Sequence, residues 1–142
     1  ILSRQRILDS DADRNAYVLE LAQYLYSFIR HDIKDVLGRS VDVVAGTEPA
    51  FPRKGAKLAI DNDRVSELKH NWEEGVEGQL VTYQRDAVQV ITEPGILKYT
   101  FENGVTLTEA YAIGDARFVS AGTVRSEKAV AGSPEAVTIE LK

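Results

Sequence analysis

Asn15-Ala16-Tyr17-Val18-Leu19-Glu20-Leu21-Ala22-Gln23-Tyr24-Leu25-Tyr26-Ser27-Phe28-Ile29-Arg30-His31-Asp32-Ile33-Lys34-Asp35-Val36-Leu37 is the longest periodic stretch in the chain, and its reading decides the fold expected from sequence. Val18, Leu21, Ala22, Leu25, Phe28, Ile29, Ile33, Val36 and Leu37 recur at intervals of three and four, which lays them along one stripe of an α-helix. Gly38 follows Leu37 where a left-handed residue ends such a helix. Upstream, Leu2, Ile7 and Leu8 stand among charges with no Pro or Gly before Asn15, so the helix is expected to run over 1–37 with a weaker apolar face at its start. Val18, Leu21, Leu25, Phe28, Ile29, Ile33 and Val36 are its expected core residues.

Beyond Gly38 the pattern changes. Gly46, Pro49, Pro52 and Gly55 punctuate a loop-rich stretch, and short β-branched or alternating runs follow. Strands are expected over 40–44, 57–60, 66–71, 78–84, 87–92, 96–101, 105–111, 116–121 and 136–141. Glu102-Asn103-Gly104 between two of them reads as a hairpin turn, because Asn-Gly accepts positive φ readily. The short spacing points to antiparallel neighbours. With no repeat and no composition break, the 142 residues read as a single α+β domain, a long N-terminal amphipathic helix (1–37) packed on antiparallel sheet (38–142).

A net charge of −5 argues against a nucleic-acid partner, since phosphate binding relies on clustered Lys and Arg. The absence of cysteine excludes disulfides, thiolate metal sites and a Cys nucleophile. Asp9, Asp11, Asp13, Asn15 and Glu20 follow the oxygen-ligand spacing of a calcium loop, but Arg14 occupies the position where the sharp turn needs Gly. The cluster therefore reads as acidic residues near a helix start. His31-Asp32 and His70 with Glu73 and Glu74 lack a nucleophile or third ligand at a diagnostic spacing, and read as solvated or partly packed polar residues. Trp72 reads as core or edge packing. No nucleophile elbow and no phosphate loop occur. No catalytic residue, metal ligand or cofactor is expected.

The order of elements resembles the soluble part of type IV pilin-like proteins, closest to the J-type minor pseudopilins of type II secretion and related minor pilins. Three phrases carry the likeness: Leu25-Tyr26-Ser27-Phe28-Ile29-Arg30-His31-Asp32-Ile33, Leu97-Lys98-Tyr99-Thr100-Phe101-Glu102-Asn103-Gly104, and Pro134-Glu135-Ala136-Val137-Thr138-Ile139-Glu140-Leu141. The resemblance implies a non-enzymatic structural subunit acting in secretion or pilus initiation. Its partners would be other pilin or pseudopilin subunits and the inner membrane, reached through an apolar helix preceding Ile1. Its place would be the cell envelope, on the periplasmic side of that membrane. Two alternatives remain open: a small-ligand-binding or catalytic α+β domain with His31 or His70 in a pocket, and a phage or envelope assembly protein.

Overall fold

The computed structural model describes residues 18–23 and 39–142. Residues 18–23 are helical, and ten strands follow: β1 (Glu48–Pro49), β2 (Lys57–Asp61), β3 (Val65–Asn71), β4 (Val81–Thr82), β5 (Ala87–Glu93), β6 (Gly95–Phe101), β7 (Thr106–Tyr111), β8 (Ala116–Val119), β9 (Val124–Ala131) and β10 (Glu135–Leu141). They form two five-stranded sheets, ordered β2-β3-β10-β5-β8 and β1-β4-β9-β6-β7. Every named pair is antiparallel except the short β1–β4 pair.

Consecutive strands often belong to opposite sheets, so the chain winds back and forth between the two layers. The passage from β5 to β6 shows what this demands. Pro94 ends one strand, and Gly95 begins the next where a Cβ would collide with Pro134 Cγ and lie 2.9 Å from the Ala131 carbonyl oxygen. Only glycine fits this close crossing. Gly104, at φ 83°, makes the one tight turn foreseen from sequence: its N–H donates to the Phe101 carbonyl as β6 passes into β7.

The inner faces of the sheets pack on each other. Trp72, Ile91 and Ala136 from one layer meet Leu97, Tyr99, Tyr111 and Ala129 from the other, while Phe51, Leu68, Tyr83 and Val119 close a second apolar cluster. Full burial of a side chain such as Leu97 or Leu141 contributes about 2 kcal/mol. β5 and β10 are buried on both faces, because the outer residues Val88, Val90, Val137 and Ile139 are covered by Val18 and Ala22 of the helix, with Leu21 packed alongside.

These features correct the expected fold class. Among the described residues the protein is a β-sandwich carrying helix only over 18–23, not an α+β domain with a long helix on an antiparallel sheet. Val18 is buried and Leu21 partly buried. Leu25, Phe28, Ile29, Ile33 and Val36 lie outside the described residues. The expected strand over 40–44 reduces to an isolated bridge between Ser40 and Arg85, and that over 78–84 shrinks to Val81–Thr82. β9 was not anticipated at all, although it sits at the centre of its sheet.

Candidate functional site

β9 carries the chemistry. Its register places Glu127 opposite Tyr99 and Arg125 opposite Phe101, so both charged side chains share the inward face with Ala129 and Leu97. Across the sandwich, β3 turns Leu68 and His70 inward, and the β10 and β5 partners Thr138 and Gln89 face the same space. Charged and polar groups therefore occupy positions that alternation would reserve for apolar ones.

Glu127 is buried and uses both carboxylate oxygens. Oε1 accepts from Arg53 Nη1 at 2.9 Å and from the Trp72 indole N–H at 3.1 Å. Oε2 accepts from the Tyr83 hydroxyl at 2.6 Å and from Arg125 Nε at 2.9 Å. Burial alone would raise the pKa of this carboxyl, but the charges of Arg53 and Arg125 outweigh it and hold the group ionised far below the usual carboxylate range. Tyr83, by contrast, is pushed up to about 12 by burial and by the neighbouring carboxylate, so it remains a donor at neutral pH.

Each guanidinium is also held by rings. The Arg125 guanidinium lies 3.9 Å from the centre of Tyr99 and 5.2 Å from that of Tyr83, and the Arg53 guanidinium lies 4.4 Å from Phe51. Arg53 further donates from Nε to the Ala50 carbonyl at 2.9 Å and from Nη2 to the Tyr83 hydroxyl at 3.3 Å. His70 packs edge-on against Phe51 and Trp72, and its Nε2 is 2.7 Å from Thr138 Oγ1, which also accepts from Gln89 Nε2 at 3.1 Å. Among the described residues His70 Nδ1 and Arg125 Nη2 are buried without a hydrogen-bond partner. Burial, then the charge of Arg53, lowers the His70 pKa to about 3, so the ring is neutral.

An open cleft of about 790 Å³ leads down to this cluster. Its floor is Trp72, Arg53 and Glu127; Lys54 and Glu48 stand on the side of the β1–β2 segment, and Glu73 and Val76 on the side of the β3–β4 loop. Gly78 keeps that loop close to β9, where a Cβ would come within 2.8 Å of the Glu127 carbonyl oxygen. The residues do not form a metal centre. No group of three or more His, Cys, Asp or Glu side chains converges among the described residues, and the carboxylate under the cleft, Glu127, is already filled by two guanidiniums, an indole and a phenol.

His70, read as solvated or partly packed, is thus buried at 3% exposure, and Trp72 both packs in the core and faces the cleft. Glu73 lines the cleft. His31, Asp32 and the acidic residues Asp9, Asp11 and Asp13 lie outside the described residues. Sequence reasoning did not find Arg53, Tyr83, Gln89, Arg125, Glu127 or Thr138. The available signal was in Val124-Arg-Ser-Glu-Lys-Ala-Val-Ala131, where Arg125 and Glu127 stand two apart inside a Val- and Ala-flanked run.

No protein-family model matches this sequence, and no curated protein matches it. Solved structures do. The chain is similar to a cupin domain from Bordetella pertussis, with a TM-score of 0.56 and 23% identity over 68% of this chain and 97% of that one. It is similar to an uncharacterized conserved protein with a double-stranded β-helix domain from Klebsiella pneumoniae, with a TM-score of 0.51 and 13% identity over 67% and 82%. A protein from Neisseria meningitidis aligns with a TM-score of 0.50 and 17% identity over 63% and 84%. The chain therefore has the cupin, or double-stranded β-helix, fold.

This finding overturns the resemblance to type IV pilin-like proteins, and with it the reading as a membrane-anchored pilin or pseudopilin subunit of type II secretion or a pilus. The envelope location and the subunit and membrane partners were implied by that resemblance alone. No helix among the described residues is long and apolar enough to cross a membrane.

Proposed function

We propose that this chain is a small-ligand-binding domain whose ligand enters the cleft between the β1–β2 segment and the β3–β4 loop and rests on Trp72 and Arg53. The observation that carries this reading is the cleft itself: about 790 Å³ of space opening onto a fixed, hydrogen-bonded charge cluster inside a β-sandwich. Ligand sites are commonly concave, largely preformed, and equipped with a few polar groups held in place. Here the aromatic rings around Arg53 and the four bonds on Glu127 supply that rigidity.

Binding without chemistry is the form we favour. General acid–base catalysis asks for a group that exchanges a proton near the working pH. Glu127 stays ionised and saturated, His70 stays neutral with Nε2 engaged, and Tyr83 keeps its proton. Nucleic acid is not the ligand we propose, given the net charge of −5.

A metabolite library screened by thermal shift tests this, with the chain compared against Val76→Trp, which fills the cleft from an exposed position, and Val130→Trp, which adds the same bulk on an exposed position of β9 away from the cleft. A ligand present at a hundred times its Kd adds about 2.7 kcal/mol of stability. The expected result is a stabilising compound whose effect survives in Val130→Trp and disappears in Val76→Trp. Equal stabilisation of both variants, or none by any compound, would overturn the reading.

A further inference from the structure

The charges around the cleft do not balance where they stand, and this asymmetry names a class of ligand. At the floor, two guanidiniums share one carboxylate, which leaves a surplus positive charge beside Trp72. Glu127 has no free lone-pair direction with which to absorb more, because four donors already occupy it. Arg53 keeps two N–H groups uncommitted after its bonds to Ala50, Glu127 and Tyr83, and its side chain is 20% exposed as it lines the cleft. Lys54, next in the chain, is exposed on the same lining and has no ion-pair partner among the described residues. The cationic floor and wall are thus prepared for an anionic group, and a guanidinium fork suits a carboxylate.

Carboxylates border the same cleft. Glu48 and Glu73 are exposed, line the cleft from its two sides, and make no ion pair with Lys54 or Arg53. Opposite charges therefore border one space without pairing with each other, and each can meet a ligand group of the opposite sign. Between them lie apolar surfaces from Pro49, Pro52, Trp72 and Val76.

We infer that the ligand is a small amphoteric molecule with an apolar body, such as an amino acid, whose carboxylate is received by Arg53 and Lys54 and whose ammonium group faces Glu48 and Glu73. This rests on the ligand-binding reading above and narrows it. A neutral sugar would leave both sets of charges unanswered, and a dicarboxylate would meet repulsion from Glu48 and Glu73.

The test is calorimetric titration with phenylalanine and leucine, with the corresponding deaminated acids and decarboxylated amines, and with a neutral hexose. The amino acids are expected to bind, and removal of either charged end to weaken binding at least about fivefold, the scale of one partly exposed ion pair. Lys54→Glu should weaken the amino acids and the acids but spare the amines, while Lys57→Glu, the same charge change on an exposed β2 residue outside the cleft lining, should leave all of them unchanged. Glu73→Lys should weaken the amines and spare the acids. Binding of the hexose alone, or acids and amines that bind as well as the amino acids, would overturn the amphoteric assignment while leaving the ligand-binding reading intact. If no probe binds and the library screen also finds no cleft ligand, both fail.

Discussion

His70 offers the sharpest physical test of the interior, because its environment tolerates only the neutral ring. Nε2 is taken by Thr138, whose hydroxyl oxygen already accepts from Gln89, and Nδ1 has no acceptor. Protonation would put an N–H on both ring nitrogens, one of which has no acceptor, in a buried site near the Arg53 guanidinium, against which the Glu127 carboxylate compensates only in part. The folded pKa of about 3 lies below the ordinary value of 6.5, so the unfolded chain binds the proton more readily between those two values. Stability attributable to this residue is therefore full above pH 6.5 and is lost progressively as pH falls toward 3.

At 1.36 kcal/mol per pKa unit, the loss between pH 7 and pH 5 comes to about 2 kcal/mol, a large part of a typical total of about 5–15. The assay is urea denaturation at pH 7, 6 and 5 for the wild type and for His70→Gln, whose neutral amide can donate to or accept from Thr138. Glu127 also favours folding above the unfolded carboxylate range and loses that contribution in acid, but it is common to both proteins and cancels in the comparison. The wild type should lose about 2 kcal/mol more than the variant between pH 7 and pH 5. Parallel pH dependences would refute the reasoning and show that the ring is solvated.

Three other outcomes follow from the same geometry. Glu127→Gln should cost about 3–5 kcal/mol in urea or thermal melts, since it leaves the buried Arg125 and the partly buried Arg53 without their counter-charge. Tyr83→Phe should cost about 1–3 kcal/mol by removing a donor from the buried carboxylate while keeping the ring that faces Arg125. Gly95→Ala should cost at least about 1–3 kcal/mol through the collision with Pro134, and should leave the pH dependence of stability as in the wild type.

The sequence made much of the strand inventory legible and little of the site. β2, β3, β5, β6, β7, β8 and β10 all overlap runs that alternation or β-branched composition marks, and Asn103-Gly104 marks the β6–β7 turn. The assembly of those strands was not legible, because neighbours such as β10 and β3, or β9 and β6, are far apart in the chain and nothing local records their pairing. The periodic stretch at 15–37 drew the reading toward a helix-dominated fold, whereas the described helix over 18–23 covers the outside of one sheet. β9 was missed for an instructive reason. Its inward residues are Arg125 and Glu127, so the usual signal of a half-buried strand, apolar residues every second position, is inverted where the site lies. His70 likewise read as a solvated or partly packed residue because the Thr138, Gln89, Phe51 and Trp72 that enclose it come from other strands and loops.

The central claim, that the cleft above Glu127 receives a ligand, has a built-in reporter. The chain contains a single tryptophan, Trp72, and its indole N–H donates to Glu127 at the cleft floor. In a heteronuclear NMR spectrum it therefore gives one indole cross-peak. Titration with a compound that stabilises the domain should move that peak together with the backbone amides of Lys54, Gly55 and Glu73, which border the same space. A stabilising compound that leaves the indole peak in place and moves amides of the edge strand Thr106–Tyr111 instead would contradict the claim and put the binding surface elsewhere on the sandwich.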